Sequence, residues 1–320
     1  MTHKIRTVDA QVTRLGVALH PDGEHEHEGV LNPASALDQK GRLLLFTRSV
    51  AKGNVSRVGI VRMAETSDGA LTAERLGFAL EPEADYERQG NGGEGCEDPR
   101  VTFIPTLGVY LMGYTAYSKE GPRIALAWSH DAYNWHRLGT VQFPRRYKLN
   151  PDDKDVGFFP EPVHSPTGVL SIAFYHRPMP QIPATGGLDG VQSILKAGAT
   201  KRQCVRIAYV PLMAVHEDLH ALLRPTESRL VLRPVKAWGS IKVGGGTPPV
   251  RIDEGWLSLY HQNGTWLDAR FVAAGTVAST DKADLARRLC ELHDGLLAVL
   301  EAHRPDEAAV EATFVNRDAA

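Results

Sequence analysis

Cysteine is scarce in this chain. Its three cysteines, Cys96, Cys204 and Cys290, are widely separated and odd in number, a pattern that supports neither a disulfide framework nor a zinc site. Long apolar runs are also missing. No segment approaches the ~20 residues of a membrane-spanning helix, and the start, Met1-Thr2-His3-Lys4-Ile5-Arg6, lacks the apolar stretch of a secretory signal. Neither sign of charge dominates. With 36 Lys+Arg against 38 Asp+Glu the formal charge is −2, which leaves no electrostatic footprint for nucleic acid or an anionic membrane. A soluble, cytoplasmic protein is the expectation. At 320 residues, 42% of them hydrophobic, the chain has room for a substantial core in one large domain or two ordinary ones.

What the chain does have is a degenerate repeat. Strand-like segments follow Gly41 (Leu43-Leu44-Leu45-Phe46), Gly108 (Val109-Tyr110-Leu111-Met112), Gly168 (Val169 to Phe174) and Gly255 (Trp256-Leu257-Ser258-Leu259). Each ends in polar or aromatic residues. A proline stands seven to nine residues before each glycine: Pro33, Pro99, Pro160 and Pro248. Three of the four are followed by a further β-prone segment, at Ser56–Val61, Arg123–Trp128 and Val205–Val210. The glycines lie 67, 60 and 87 residues apart. Repeated antiparallel units of that size read as propeller blades, with a β-sandwich as the alternative architecture.

The stretch Gly95-Cys96-Glu97-Asp98-Pro99-Arg100 stands out within this pattern. Pro99 fixes its own φ and biases Asp98 toward extended geometry. The run from Gly90 to Gly95 is expected to leave mobile backbone behind it. Taken alone, this is equally a turn aspartate ahead of a strand. In a propeller, however, equivalent strand ends converge on one channel mouth, which gathers Asn32, Arg48, Asp98, Tyr117, His176 and His261. Arg57, Lys154, Arg177 and Lys242 add positive charge. Glu97 and Asp98, being adjacent on a strand, are expected to point to opposite faces and not to act as a pair. One acid facing a cationic pocket suits an anionic nucleophile, because phosphate needs no general base and is recognised by Arg and Lys.

Other stretches say less. His25-Glu26-His27-Glu28 reads as an acidic loop in preference to a metal site, and Gly244-Gly245-Gly246 could let backbone N–H groups approach an anion. Near the C-terminus Leu285, Leu289, Leu292 and Leu296 recur at helical spacing, which predicts an amphipathic α-helix over 281–304.

The motifs Gly95–Arg100, Tyr114-Thr115-Ala116-Tyr117, Lys154-Asp155 with Phe159-Pro160-Glu161, Tyr175-His176-Arg177-Pro178, Lys242 to Pro249, and Gly255-Trp256-Leu257 with Tyr260-His261 together resemble glycoside hydrolase family 130, the β-mannoside phosphorylases and related β-mannosidases. The resemblance spans roughly residues 14–262. It implies an all-β, five-bladed propeller and inverting, single-displacement chemistry on a β-mannoside oligosaccharide, with phosphate as co-substrate and no metal or organic cofactor. By motif, Asp98 would be the acid, its proton relayed through the mannose 3-hydroxyl. Arg48, Arg57, Lys154 and His176 would bind phosphate. Asn32 and Tyr260 would contact sugar or phosphate, and Arg100, Tyr117, Arg177, Lys242 and His261 would complete the substrate-binding set. The alternatives are a β-mannosidase with Glu161 as base and a catalytically inactive sugar-binding propeller. Residues 263–320 contain no fifth unit of the repeat, so the expectation is a propeller domain over 1–275, its last blade incomplete or replaced, and a helical tail over 276–320. A homo-oligomer is compatible with this reading.

Overall fold

The computed structural model describes residues 17–66, 71–147, 152–179, 203–233, 243–253 and 255–262. The chain divides into two compact units, Met1–Gly264 and Thr265–Ala320. The second lies outside the described residues, and with it the expected helix over 281–304 and Cys290. Lys242 lies outside them too.

The described residues are almost wholly β. Strands β1 (Gly29–Leu37), β2 (Leu43–Ala51), β3 (Val55–Glu65) and β4 (Leu71–Leu80) pair in sequence order, each antiparallel to the next. So do β5 (Glu94–Ile104), β6 (Val109–Ser118), β7 (Gly121–Ser129) and β8 (His136–Thr140). A short parallel contact, Val55 with Glu94 and Ser56 with Gly95, links these two meanders. A third meander runs through β9 (Asp153–Phe158), β11 (Leu170–Pro178), β12 (Val205–Pro211) and β13 (Glu227–Leu232), with β10 (Val163–His164) beside the start of β11. A fourth group follows, in which β14 (Val243–Gly245) pairs with β17 (Tyr260–Gln262) and β15 (Val250–Ile252) with β16 (Gly255–Leu257). One short helix, α1 (Leu212–Glu217), follows β12. Among the described residues no helix is long and apolar enough to cross a membrane.

Strand β6 of the second meander is buried on both faces, which explains why it reads as a nearly unbroken apolar run. In β6, Tyr110, Met112, Tyr114 and Ala116 pack with Phe46, Val58 and Ile60 of the first meander. Val109 and Leu111, of opposite parity, pack with Phe158, Ile172 and Phe174 of the third. The two-residue period of a strand thus feeds two separate cores from one sequence. Phe159, Ala173 and Tyr209 carry the third meander toward Trp256.

The expected units were three-stranded and lacked β4, β8 and β13. These outer strands escape the pattern because they are half exposed: β4, Leu-Thr-Ala-Glu-Arg-Leu-Gly-Phe-Ala-Leu, has a single buried residue, Leu80. The prolines are also placed differently. Pro33 and Pro99 sit inside β1 and β5, whereas Pro160 follows β9.

Candidate active site

The first strand of each complete meander carries the same irregularity. The register of β1 slips between Leu31 and Ala34 against β2, and that of β5 between Glu97 and Arg100 against β6. In the third meander β9 takes three steps, Gly157 to Lys154, while β11 takes two, Tyr175 to Arg177. Each slip is a bulge with one extra residue on the first strand. Each contains a residue in left-handed backbone: Asn32 (φ 45), Asp98 (φ 49) and Asp155 (φ 60). Asn and Asp tolerate that region better than other non-glycine residues. Pro99 therefore does not hold Asp98 extended; the bulge wins.

Two of the glycines ahead of Asp98, Gly92 and Gly95, allow close approach of neighbouring backbone. A Cβ on Gly95, itself at φ +122, would meet the Ser56 carbonyl oxygen at 2.2 Å.

The bulge redirects Asp98 so that it and Glu97 reach the same groups. Arg48, from β2, donates Nη2–H to Glu97 Oε1 at 2.8 Å and Nη1–H to Asp98 Oδ1 at 3.1 Å. Lys154 Nζ, from β9, lies 3.5 Å from Glu97 Oε2 and 3.3 Å from Asp98 Oδ2. Asn32 Nδ2 donates to Asp98 Oδ1 at 2.7 Å, and Arg48 Nε to Ser56 Oγ at 3.0 Å. The side chains of Glu97 and Asp98 are 7% and 13% exposed, so this ion cluster is largely withdrawn from water. Burial pushes the Asp98 carboxyl up, but Lys154, Arg48 and the Asn32 amide together bring it down to about 2. At neutral pH the site holds Asp98 as a carboxylate.

A second polar group adjoins through Lys154 and Asp155. Arg177 donates Nε–H to Asp155 Oδ2 at 2.5 Å and Nη2–H to Oδ1 at 3.2 Å, and its Nη1 bonds to Gln203 Oε1. His261 Nε2, on β17, lies 3.5 Å from Asp155 Oδ2. Burial raises the Asp155 carboxyl, but His261, Arg177 and Arg100 outweigh it and hold it well below the usual range. Arg100 also donates to the carbonyls of Asp98 and Pro99. Gly244 makes room for this contact: a Cβ there would meet Asp155 Oδ2 at 2.3 Å and His261 Nε2 at 2.4 Å. The first glycine of the run thus seats the side chains of Asp155 and His261.

Of the expected residues, Asn32, Arg48, Asp98 and Lys154 come together, with Arg100, Arg177 and His261 adjoining. Tyr117 is half-buried on β6 and Tyr260 is exposed on β17, opposite Gly95 and Gly245 respectively. Two residues are elsewhere. Arg57 pairs with Ser49, one register step from the Arg48–Val58 pair, so it leaves the opposite face of the sheet, where its Nε donates to Glu81 Oε1 at 3.1 Å. His176 is 0% exposed. Its Nδ1 lies 2.7 Å from Asp153 Oδ2, its Nε2 3.0 Å from Ser228 Oγ, and its ring stacks on Phe143. It is a buried residue whose two ring nitrogens are both engaged.

With Arg100, Arg177 and Asp155 counted in, four cationic side chains stand against three carboxylates, and around Asp98 itself the numbers are equal. Two carboxylates face two cations. Sequence reasoning missed the pairing of Glu97 with Asp98, and missed Asp155 as the third member of the bulge series; an Asn or Asp at matching depth in each first strand was the available signal. His25–Glu28 is structural: Arg75 binds Glu26 at 2.6 Å, and the Glu28 carboxylate accepts from Gly53 and Asn54 N–H. Among the described residues no three His, Cys, Asp or Glu side chains are grouped to hold a metal.

Comparison with known proteins gives two unlike results. Part of the chain is similar to crossover junction endodeoxyribonucleases RuvC. That of Chelativorans sp. (strain BNC1) is 56% identical over 81 residues, 25% of this chain and 45% of the nuclease. That of Mesorhizobium japonicum is 72% identical over 50 residues, 16% and 30% of the two. The chain thus spans less than half the length of these curated relatives. In fold, the chain is similar to a beta-1,2-mannobiose phosphorylase from Listeria innocua, solved with beta-1,2-mannobiose, at a TM-score of 0.51 and 22% identity over 77% of this chain and 72% of that one. A family model, Glyco_hydro_130, described as beta-1,4-mannooligosaccharide phosphorylase, matches residues 3–162. That span is half of the chain and holds β1, β2, β5 and β9 with the whole Asn32–Arg48–Asp98–Lys154 cluster, so the chain belongs to glycoside hydrolase family 130.

Proposed function

We propose that the chain catalyses inverting phosphorolysis of a β-mannoside, giving α-mannose 1-phosphate and a shortened acceptor sugar. The scaffold is a five-bladed propeller in which the three complete meanders are the first three blades. The observation that carries this reading is Asp98 held on a bulge between Asn32, Arg48 and Lys154.

An inverting hydrolase needs a second carboxylate about 6.5–9.5 Å from the acid, to leave room for the attacking water. Glu97 and Asp98 share one guanidinium fork, which is too close for that role. Glu161, the base expected for hydrolysis, is exposed just after β9. A nucleophile that arrives already charged needs no base. Arg48 and Lys154 present donors suited to a phosphate oxygen. As the phosphate oxygen bonds to C1, the C1–O bond breaks and the leaving oxygen takes a proton from Asp98, relayed through the sugar. Asp98 carries that proton only once its cations are engaged by phosphate. No metal or organic cofactor enters this displacement.

The test is product analysis of β-mannosides with and without inorganic phosphate. Phosphate-dependent α-mannose 1-phosphate, seen by ³¹P NMR, supports the proposal. Free mannose at equal rates in both conditions makes the protein a hydrolase. Sugar binding without either product makes it a binding propeller.

A further inference from the structure

Glu97 is given no part in the displacement proposed above, yet like Asp98 it meets both cations. It sits 7% exposed on the residue before the bulge and accepts from Arg48 at 2.8 Å through one oxygen while facing Lys154 at 3.5 Å through the other. Resting on the phosphorylase reading, we propose that Glu97 is a positioning residue that holds Arg48 and Lys154 beside Asp98 and cancels one of their charges, so that phosphate competes with Glu97 for them.

Charge counting carries the argument. Glu97 and Asp98 contribute two negative charges and Arg48 and Lys154 two positive ones. The cluster is neutral and mutually bonded, as a buried set of ions has to be. A phosphate dianion bound to Arg48 and Lys154 drives the cluster to a net charge near −2. The least costly response in a poorly solvated site is uptake of a proton. Asp98 is where that proton is useful, because there it becomes the one the leaving group needs. Without the charge of Glu97 the loaded site would be less negative and the proton less strongly drawn in. Glu97 thereby weakens phosphate binding and favours turnover.

The experiment compares full-length wild type, E97Q and E97D for affinity toward inorganic phosphate by calorimetry, and for kcat and phosphate KM. E97Q keeps an oxygen to accept from Arg48 but loses the charge. It is expected to bind phosphate roughly tenfold more tightly, the factor given by about 1.4 kcal/mol of relieved repulsion, while kcat falls at least tenfold. E97D, which keeps the charge, should retain wild-type affinity within about threefold and serves as the check if E97Q folds poorly. Phosphate binding that is unchanged or weaker in folded E97Q overturns the proposal. So does an E97D that binds as tightly as E97Q is expected to. A wild type that neither binds nor uses phosphate, beside an E97Q that binds it, would sink the phosphorylase reading and leave the role of Glu97 standing.

Discussion

Glu97 and Asp98 are neighbours in the chain, and their carboxylates nonetheless reach the same two cations, Arg48 and Lys154. In a regular strand they would leave opposite faces. The extra residue at the bulge and the left-handed backbone of Asp98 break the alternation. The same device recurs at Asn32 and Asp155, so the site is assembled by one local backbone conformation used in three successive meanders.

Asp98→Asn keeps the shape of the side chain and removes the proposed proton donor. Steady-state kinetics on a natural β-mannoside should show kcat lowered by roughly 10²–10⁴-fold, the usual share of general acid catalysis. Circular dichroism should show the native fold. An unchanged kcat would take Asp98 out of the reaction.

Acid should weaken the site in a defined window. Asp98 falls from its ordinary 3.8 to about 2 in the folded protein. A depressed carboxyl stabilises the fold above its unfolded value and loses that contribution as pH falls through the folded value. Between roughly pH 4 and pH 2 the wild type should lose about 2 kcal/mol that Asp98→Asn does not. Urea midpoints at pH 5 and pH 2.5 measure this, and the gap between the two proteins should narrow on acidification.

The contact between the second and third meanders can be tested by overpacking. A Cβ on Gly113 of β6 would meet Val156 Cγ1 at 2.1 Å. Gly113→Ala should therefore destabilise by about 1–3 kcal/mol, and Val156→Ala in the same chain should recover part of that loss. A double-mutant cycle on thermal midpoints gives the coupling. Additive effects would mean that the two strands do not meet there.

His176 and Lys154 should separate stability from binding. His176→Ala removes two buried hydrogen bonds and a stacked ring, so the melting temperature should fall while the phosphate KM of the folded fraction stays within about twofold. Lys154→Ala removes a charge-assisted contact of about 1.5–3 kcal/mol, and phosphate KM should rise roughly 10–150-fold. The reverse pattern would return His176 to the site.

What the sequence determined by itself was local: the apolar runs of β2, β6 and β11, the hairpin glycines, and the residues Asn32, Arg48, Asp98 and Lys154, singled out by the repeat and by the family resemblance. Edge strands such as β4 were not legible, because a half-exposed strand needs no strict alternation. Tertiary structure alone decided which charges meet. Arg48 and Arg57 lie on the same hairpin, yet one register step sends them to opposite faces. His176 and Arg177 are adjacent, yet one is sealed in a core while the other reaches Asp155 beside the site. Glu97 joins Asp98 only because a bulge adds one residue to the strand. Side-chain direction in a sheet depends on register, and register is set by pairing between segments far apart in the chain.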